Sequence, residues 1–172
     1  MPSRARRLRA RAHAPVSLTA ALGLSAAVLL LDQLTKAWAN ANLPAGRPVE
    51  VLPFLDLTLG FNRGVVFGLF SSDSAAGPWL VIMFTGLISL GLIIWMVRER
   101  APMTRTGLAL VVGGAVSNLW DRSRDGAVTD FLDAHVGGLH WPSFNLADAA
   151  IVCAVGVLLW ASLHRPGIGE RS

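Results

Sequence analysis

TGLALVVGGAVSNLWDRSRDGAVTDF (Thr106–Phe131) is the stretch that decides the fold. Its first fifteen residues, Thr106 to Trp120, carry no charge and read as a helix, while Asp121, Asp125 and Asp130 follow within ten more. A second stretch, FNLADAAI (Phe144–Ile151), reverses that order, with Asp148 ahead of fifteen uncharged residues from Ala149 to Leu163. At about 1.5 Å per residue each uncharged run reaches roughly 22 Å, short of a hydrocarbon core of roughly 30 Å. Such helices span a bilayer only by drawing Asp121 and Asp148 into or just beneath its interface. Carboxylates held there point to function.

Outward from this stretch lie two further apolar segments, Val16–Trp38 and Pro78–Val97. The chain has 172 residues, of which 53% are hydrophobic and only 15% charged. With a mean hydropathy of +0.52 it is too apolar for an ordinary soluble domain. The pattern predicts an all-α polytopic membrane protein of one domain, 1–172, without internal repeats. Its four transmembrane helices are expected at about 16–39, 78–97, 104–121 and 146–164, behind an Arg-rich tail at 1–15. Strands are excluded from the spans because hydrocarbon leaves no water to satisfy a sheet edge.

An even number of spans puts both termini on one side. Ten of the fifteen Lys and Arg residues fall there, in the N-terminal tail, the second-to-third helix loop and the C-terminal tail, which predicts cytoplasmic termini. Nine of the eleven acids fall on or toward the opposite, extracytoplasmic face. The isoelectric point near 10.9 thus arises from Arg-rich ends suited to anionic lipid headgroups, and gives nucleic acid no support as a partner. Tyrosine is absent, and all six tryptophans stand near predicted helix ends, where an interfacial aromatic belt belongs.

The single cysteine, Cys153, excludes an internal disulfide, and its apolar setting predicts a packing role. His135 and His140 lack ligand spacing and read as residues of a solvated loop; no metal or cofactor motif is present. The N-terminus imitates a cleavable signal peptide, but Asp32, Gln33 and Lys36 interrupt its apolar run, favouring a retained helix. Between the first two helices, Leu55, Leu57, Leu59 and Phe61 alternate with Asp56, Thr58 and Gly60, the period of a half-buried strand. FNRGVVFGLF follows, with a turn signal at Asn62–Gly64. A small outer sheet is expected here, either a platform that holds an extended peptide by strand addition or a lid that caps the bundle.

The acids differ in their surroundings. Asp121 at a helix C-terminus opposes the macrodipole and needs a cation, which Arg122 or Lys36 can supply. Asp130 sits in an apolar-flanked outer loop, freer to hold an unusual pKa. Asp148 falls three residues after Asn145, the spacing of a capping box, and Asp32 and Lys36 are spaced as an i,i+4 ion pair. Two carboxylates that converge from different elements share a proton, so one can accept a proton from water while the other polarises an amide carbonyl. Asp148 is one candidate. Asp121 and Asp130 both stay open as its partner, with Asp130 favoured because a carboxylate held by arginine is a poor holder of a shared proton. Asn62, Asn118 and Asn145 would orient the pair or bind substrate backbone. A proton-relay transporter built on Asp32, Asp121, Asp130 and Asp148 is the rival reading, disfavoured because these groups cluster at one face. A non-catalytic scaffold leaves them without a shared purpose.

Five segments, DQLTK (Asp32–Lys36), FNRGVVFG (Phe61–Gly68), GGAVSNLWDR (Gly113–Arg122), VTDF (Val128–Phe131) and FNLADAAI, together resemble the lipoprotein signal peptidases in order and spacing. This family is also called signal peptidase II, aspartic peptidase family A8, and the resemblance covers Leu31 to Ile151. It implies a bacterial inner-membrane endopeptidase that cuts diacylglyceryl-modified prolipoproteins on the amino side of the lipidated cysteine. By motif it implies Asp130 and Asp148 as the catalytic pair. Asp32, Lys36, Asn62, Gly64, Asn118, Asp121, Arg122 and Asn145 fall on its supporting or substrate-binding positions. It further implies membrane lipids as surroundings, inhibition by globomycin-type cyclic peptides, and no metal or organic cofactor. One copy of each motif completes a site, so a monomer is expected. Ser117 stands where glycine is usual, and Ala149 where serine is usual.

Overall fold

The structure, a computed structural model, describes residues 16–64 and 77–164. The Arg-rich tail, the segment Val65–Phe70 and the C-terminal Arg165 and Arg171 lie outside the described residues. Helix α1 (Leu18–Asn42) leads into strands β1 (Val49–Leu52) and β2 (Leu55–Asn62). Helices α2 (Gly77–Arg98) and α3 (Pro102–Asp125) follow, then β3 (Val128–Val136), β4 (Leu139–His140) and α4 (Leu146–Leu163). Local chemistry sets these limits. The Ser17 hydroxyl accepts from the Ala20 amide at 3.0 Å to cap α1, and Pro102, which has no N–H to leave unpaired, opens α3. Gly126 closes α3 in the left-handed region at φ 71°, donating its N–H to the Arg122 carbonyl at 3.1 Å.

Burial is inverted relative to a soluble protein. Leu34, Phe84 and Val152 are 64–71% exposed, while Asp32 and Asn145 are fully enclosed and Lys36 nearly so. All six tryptophans face outward as well. This arrangement is stable only where the outer solvent is hydrocarbon. Helices α1, α2 and α4 are each long and apolar enough to cross a membrane. Helix α3, at 24 residues, is long enough but carries Arg105, Asn118, Asp121 and Arg122, so among the described residues composition marks three of the four expected spans and not this one. The reason is packing: α3 lies against α1, α2 and α4, and its Ser117, Asn118 and Asp121 are buried.

Close helix approach depends on glycines in the middle of α3. A Cβ at Gly114 would lie 2.6 Å from the Ala147 carbonyl oxygen of α4, and one at Gly113 would lie 2.6 Å from the Ser25 carbonyl oxygen of α1. Gly114→Ala is therefore expected to destabilise the protein by about 1–3 kcal/mol through forced backbone movement. Gly156→Ala, with nothing within 4 Å of the added carbon, is the control. Thermal unfolding in detergent compares the two.

The core is divided along the bundle. At one end Ala21, Met96, Leu108, Ala109 and Val112 pack as an apolar cluster, and Arg105 donates to the Val16 and Glu99 carbonyls. At the other end the interior is polar and lies beside a four-stranded antiparallel sheet of order β1-β2-β3-β4. Only half of that sheet comes from between the first two helices as expected. The acidic stretch read as an outer loop is β3, so Asp130 is a strand residue, paired in register with Gly60 of β2. Exposure along β2 does not alternate: Leu55 to Gly60 are all half-buried and Phe61 and Asn62 are exposed, and its pairing with β3 shifts register between Leu57 and Gly60.

Two further expectations are corrected. Cys153 is exposed on the outward side of α4 and is not packed inside the bundle. His135 and His140 lie on β3 and β4, stacked 4.9 Å apart, with His135 Nε2 3.4 Å from Asp56 and His140 Nδ1 3.0 Å from Asp133. They join neighbouring strands; the apparent loop was a hairpin turning at Gly137–Gly138.

Candidate active site

The polar end is organised around one ammonium. Lys36 Nζ lies 2.6 Å from Asp32 Oδ2 one turn earlier in α1, and 2.7 Å from Asp121 Oδ2 near the end of α3. It also donates to Asn118 Oδ1 at 2.8 Å. An ammonium only donates, so the oxygen of Asn118 must face it, leaving Asn118 Nδ2 to donate to Asp148 Oδ1 at 2.8 Å. Of the two cations open for Asp121, Lys36 makes the contact.

The start of α4 is built as its spacing suggests. Asn145 is the N-cap, its side-chain oxygen accepting from the Asp148 amide at 2.9 Å while Asp148 Oδ2 accepts from the Asn145 amide at 3.3 Å. That leaves Asn145 Nδ2 free to donate, and it does so to Asp130 Oδ1 at 2.7 Å. It also reaches Asn118 Oδ1 at 3.2 Å and the Thr129 carbonyl at 3.4 Å. The segment before α4 is pinned to β3 where Leu132 and Phe144 exchange amide hydrogen bonds of 2.9 Å in both directions, which brings Asn145 beside Asp130. Asp130 and Asp148 are thus bridged by two carboxamides, Asn118 and Asn145. Asp130 is buried, whereas Asp148 is half-buried.

The other predicted positions surround this pair. Asn62 at the end of β2 adds a side-chain hydrogen bond to Asp130. Its Oδ1 also accepts from the Gly64 amide at 2.8 Å, at a turn where Gly64 has φ 75°. Arg122 packs against Gly64 and lies within electrostatic reach of Asp148, Asp130 and Asp121. All ten residues singled out from the sequence therefore occupy one end of the molecule. Sequence reasoning missed Gln33 and the part played by Ser117: Gln33 Nε2 donates to Ser117 Oγ at 2.9 Å and to Asp121 Oδ1 at 2.6 Å. Gln33 had left a signal as an amide in an apolar helix, one residue after Asp32 and three before Lys36.

Burial pushes the Asp130 carboxyl above its ordinary value of 3.8; the Asp148 charge adds to this, and hydrogen bonds from Asn145 and Asn62 and the Lys36 charge oppose it. A carboxyl raised in the folded state contributes stability that is full below its unfolded value and lost as pH rises through its folded one. Asp130→Asn should therefore lose less stability than the unaltered protein as pH rises above about 4. Thermal unfolding at several pH values checks this, and parallel curves for the two proteins would refute it.

Fold and site together define the class: a helical membrane protein whose buried acids converge at one end beside a small sheet. Two solved bacterial membrane enzymes, determined by the in meso method at 2.3 Å and 1.9 Å, share this fold with TM-scores of 0.76 and 0.77. Each is 25% identical in sequence; the matches cover 93% and 90% of this chain and 99% of each solved chain. The chain belongs to the signal peptidase II family, whose model, described as signal peptidase (SPase) II, matches residues 24–164. Among similar proteins, the lipoprotein signal peptidase of Rhodopseudomonas palustris is 42% identical, over 87% of this chain and 93% of its own. That of a Methylobacterium species is 44% identical over 88% and 93%, and that of Coxiella burnetii 41% over 84% and 90%.

Proposed function

We propose that this protein removes signal peptides from diacylglyceryl-modified prolipoproteins, cutting on the amino side of the lipidated cysteine. The observation that carries the reading is the pair Asp130 and Asp148, brought from a strand and a helix onto two carboxamides that are bonded to each other, Asn145 Nδ2 donating to Asp130 and to Asn118 Oδ1, and Asn118 Nδ2 to Asp148. Asp130, buried and raised, holds the shared proton and donates it toward the scissile carbonyl oxygen. Asp148, half-buried and held by the donors Asn118 Nδ2 and Asn145 N, takes a proton from water. The water oxygen bonds to the carbonyl carbon. Collapse of the tetrahedral diol breaks the C–N bond as Asp148 returns its proton to the leaving nitrogen and Asp130 recovers its own. The C–O bond forms and the C–N bond breaks with proton transfers alone and no change of oxidation state, so the two acids suffice without a redox group.

The remaining residues fit supporting roles. Arg122 offsets negative charge near the pair, and Asn62 and Gly64 at the end of β2 offer polar groups to substrate backbone. Asp32, Lys36, Asp121, Asn118 and Asn145 hold the pair in position. The sheet serves as a clamp for an extended peptide whose diacylglyceryl group stays in the membrane. In this reading all four helices cross the bacterial inner membrane within a single domain, with α3 shielded by the others. Both termini are cytoplasmic and the acidic end faces outward. A monomer is complete, and globomycin-type cyclic peptides compete for the site.

The test is digestion of a lipobox peptide, with and without the diacylglyceryl group, by purified protein in detergent, with the fragments weighed by mass spectrometry. Cleavage before the lipidated cysteine, and far slower cleavage of the unlipidated peptide, is the expected result. Folded protein that leaves the modified peptide intact would overturn the peptidase reading in favour of a proton-relay transporter.

A further inference from the structure

Hydroxyls within the helices have a common habit in this protein. Those of Thr35, Thr85, Ser89, Thr106 and Ser123 each donate to a carbonyl four residues back in the same helix, which satisfies the hydroxyl locally and links it to nothing else. Two hydroxyls depart from this: Ser25 Oγ also reaches the Ala109 carbonyl across the α1–α3 interface at 2.8 Å, and Ser117 bonds a carboxylate. Ser117 is fully enclosed, and its Oγ donates instead to Asp32 Oδ2 at 2.7 Å across the α1–α3 interface. The direction of that bond is forced, because a carboxylate only accepts and a lone pair on Ser117 Oγ already receives Gln33 Nε2.

Asp32 passes the constraint onward. Its second oxygen, Oδ1, accepts from the Ala147 amide at 2.8 Å. Ala147 is the second residue of α4 and immediately precedes Asp148. Its amide is one of the first-turn donors that have no partner inside their own helix, and here a carboxylate from another helix supplies the partner. The Asp32 carboxylate must therefore be held in one rotation for α4 to begin where it does. Lys36, an ammonium on a flexible stem, attracts Oδ2 without fixing the carboxylate plane, whereas the hydroxyl of Ser117 adds a directed bond from a rigid helix.

We infer that Ser117 is a positioning residue for Asp148, acting through Asp32 and the Ala147 amide, with Gln33 fixing the orientation of the Ser117 hydroxyl. The inference rests on the proposal that Asp148 is catalytic. It assigns Ser117 an effect on the chemical step and none on substrate capture, since the chain of contacts ends on the backbone immediately before Asp148.

Ser117→Ala removes one oxygen and preserves the helix. On a diacylglyceryl-modified lipobox peptide its kcat is expected to fall about tenfold with KM within about twofold. Hydrogen exchange at the Ala147 amide should accelerate in the same variant, and Ser117→Thr, which keeps the hydroxyl, should restore both. Should the extra methyl of threonine prevent folding, Gln33→Met must reproduce part of the kcat loss, and an unchanged kcat there overturns the inference. A lower melting temperature with kcat and Ala147 exchange both unchanged would make Ser117 merely structural and overturn it too. Unaltered protein and Asp148→Asn run alongside. If the first cleaves and the second does not while Ser117→Ala matches the first, the inference fails alone. If unaltered protein is inert on the lipidated peptide, the functional reading fails, and the exchange measurement still decides whether the contact chain exists.

Discussion

Asp130→Asn and Asp148→Asn are each expected to lower the rate of cleavage of a diacylglyceryl-modified lipobox peptide by about a thousandfold, the scale of lost general acid–base catalysis. Asparagine preserves shape, so the two variants fail for chemical reasons. At Asp130 the side-chain oxygen can still accept from Asn145 Nδ2, but no shared proton remains. At Asp148 one oxygen still accepts from Asn118 Nδ2, while the new NH2 would face the Asn145 amide that now donates to Oδ2. Asp148→Asn should therefore also lose half of the capping box and about 1 kcal/mol of stability. Melting temperatures separate that loss from the catalytic one. The double variant should be no slower than either single one, because both remove the same proton-transfer unit. Full activity in folded Asp130→Asn together with inactivity of Asp121→Asn would transfer the partner role to Asp121.

The largest stability effect is expected at Lys36. Its ammonium stands between two enclosed carboxylates, Asp32 and Asp121, at 2.6 and 2.7 Å. Lys36→Met keeps the length of the side chain and removes the charge, leaving two carboxylates without their shared cation. Breaking a buried pair from one side costs about 3–5 kcal/mol. Lys36→Arg should recover little, since a planar fork does not fit a pocket shaped for a compact ammonium. Combining Lys36→Met with Asp121→Asn should recover part of the loss by removing one of the stranded charges. Chemical unfolding in detergent measures all three. A loss below about 1 kcal/mol for Lys36→Met would mean that water reaches the cluster and screens it as at a surface.

Legibility in the sequence followed the range of the interaction. The Asp32–Lys36 pair and the Asn145–Asp148 capping box are contacts within one helical turn, and spacing alone exposes them. The alternation in Leu55–Phe61 likewise announced β2, although not the register shift in its pairing with β3. Strand β3 was hidden because the apolar residues around Asp130 and Asp133 do not alternate, and its partner strand lies some seventy positions earlier. Its pairing is a property of the folded sheet. Lys36 as the cation of Asp121, Gln33 as the link between Ser117 and Asp121, and Asp32 as the acceptor for Ala147 all join helices distant in sequence. No periodicity within one segment encodes such a join. The motif resemblance named in advance residues that lie together at one end of the bundle, and the structure adds which atom meets which.

The ion pair in α1 has a consequence for how the chain is made. Ser117 and Ala147, which bind Asp32 in the finished protein, lie 85 and 115 residues downstream and emerge from the ribosome long after α1. During that interval α1 must reside in or beside lipid with Asp32 and Lys36 in its polar half. Because the two sit one turn apart and 2.6 Å from each other, the young helix carries a closed dipole in place of two bare ions. The same contact that later helps to hold the completed centre thus lets its first element wait in the membrane for partners that have not yet been translated.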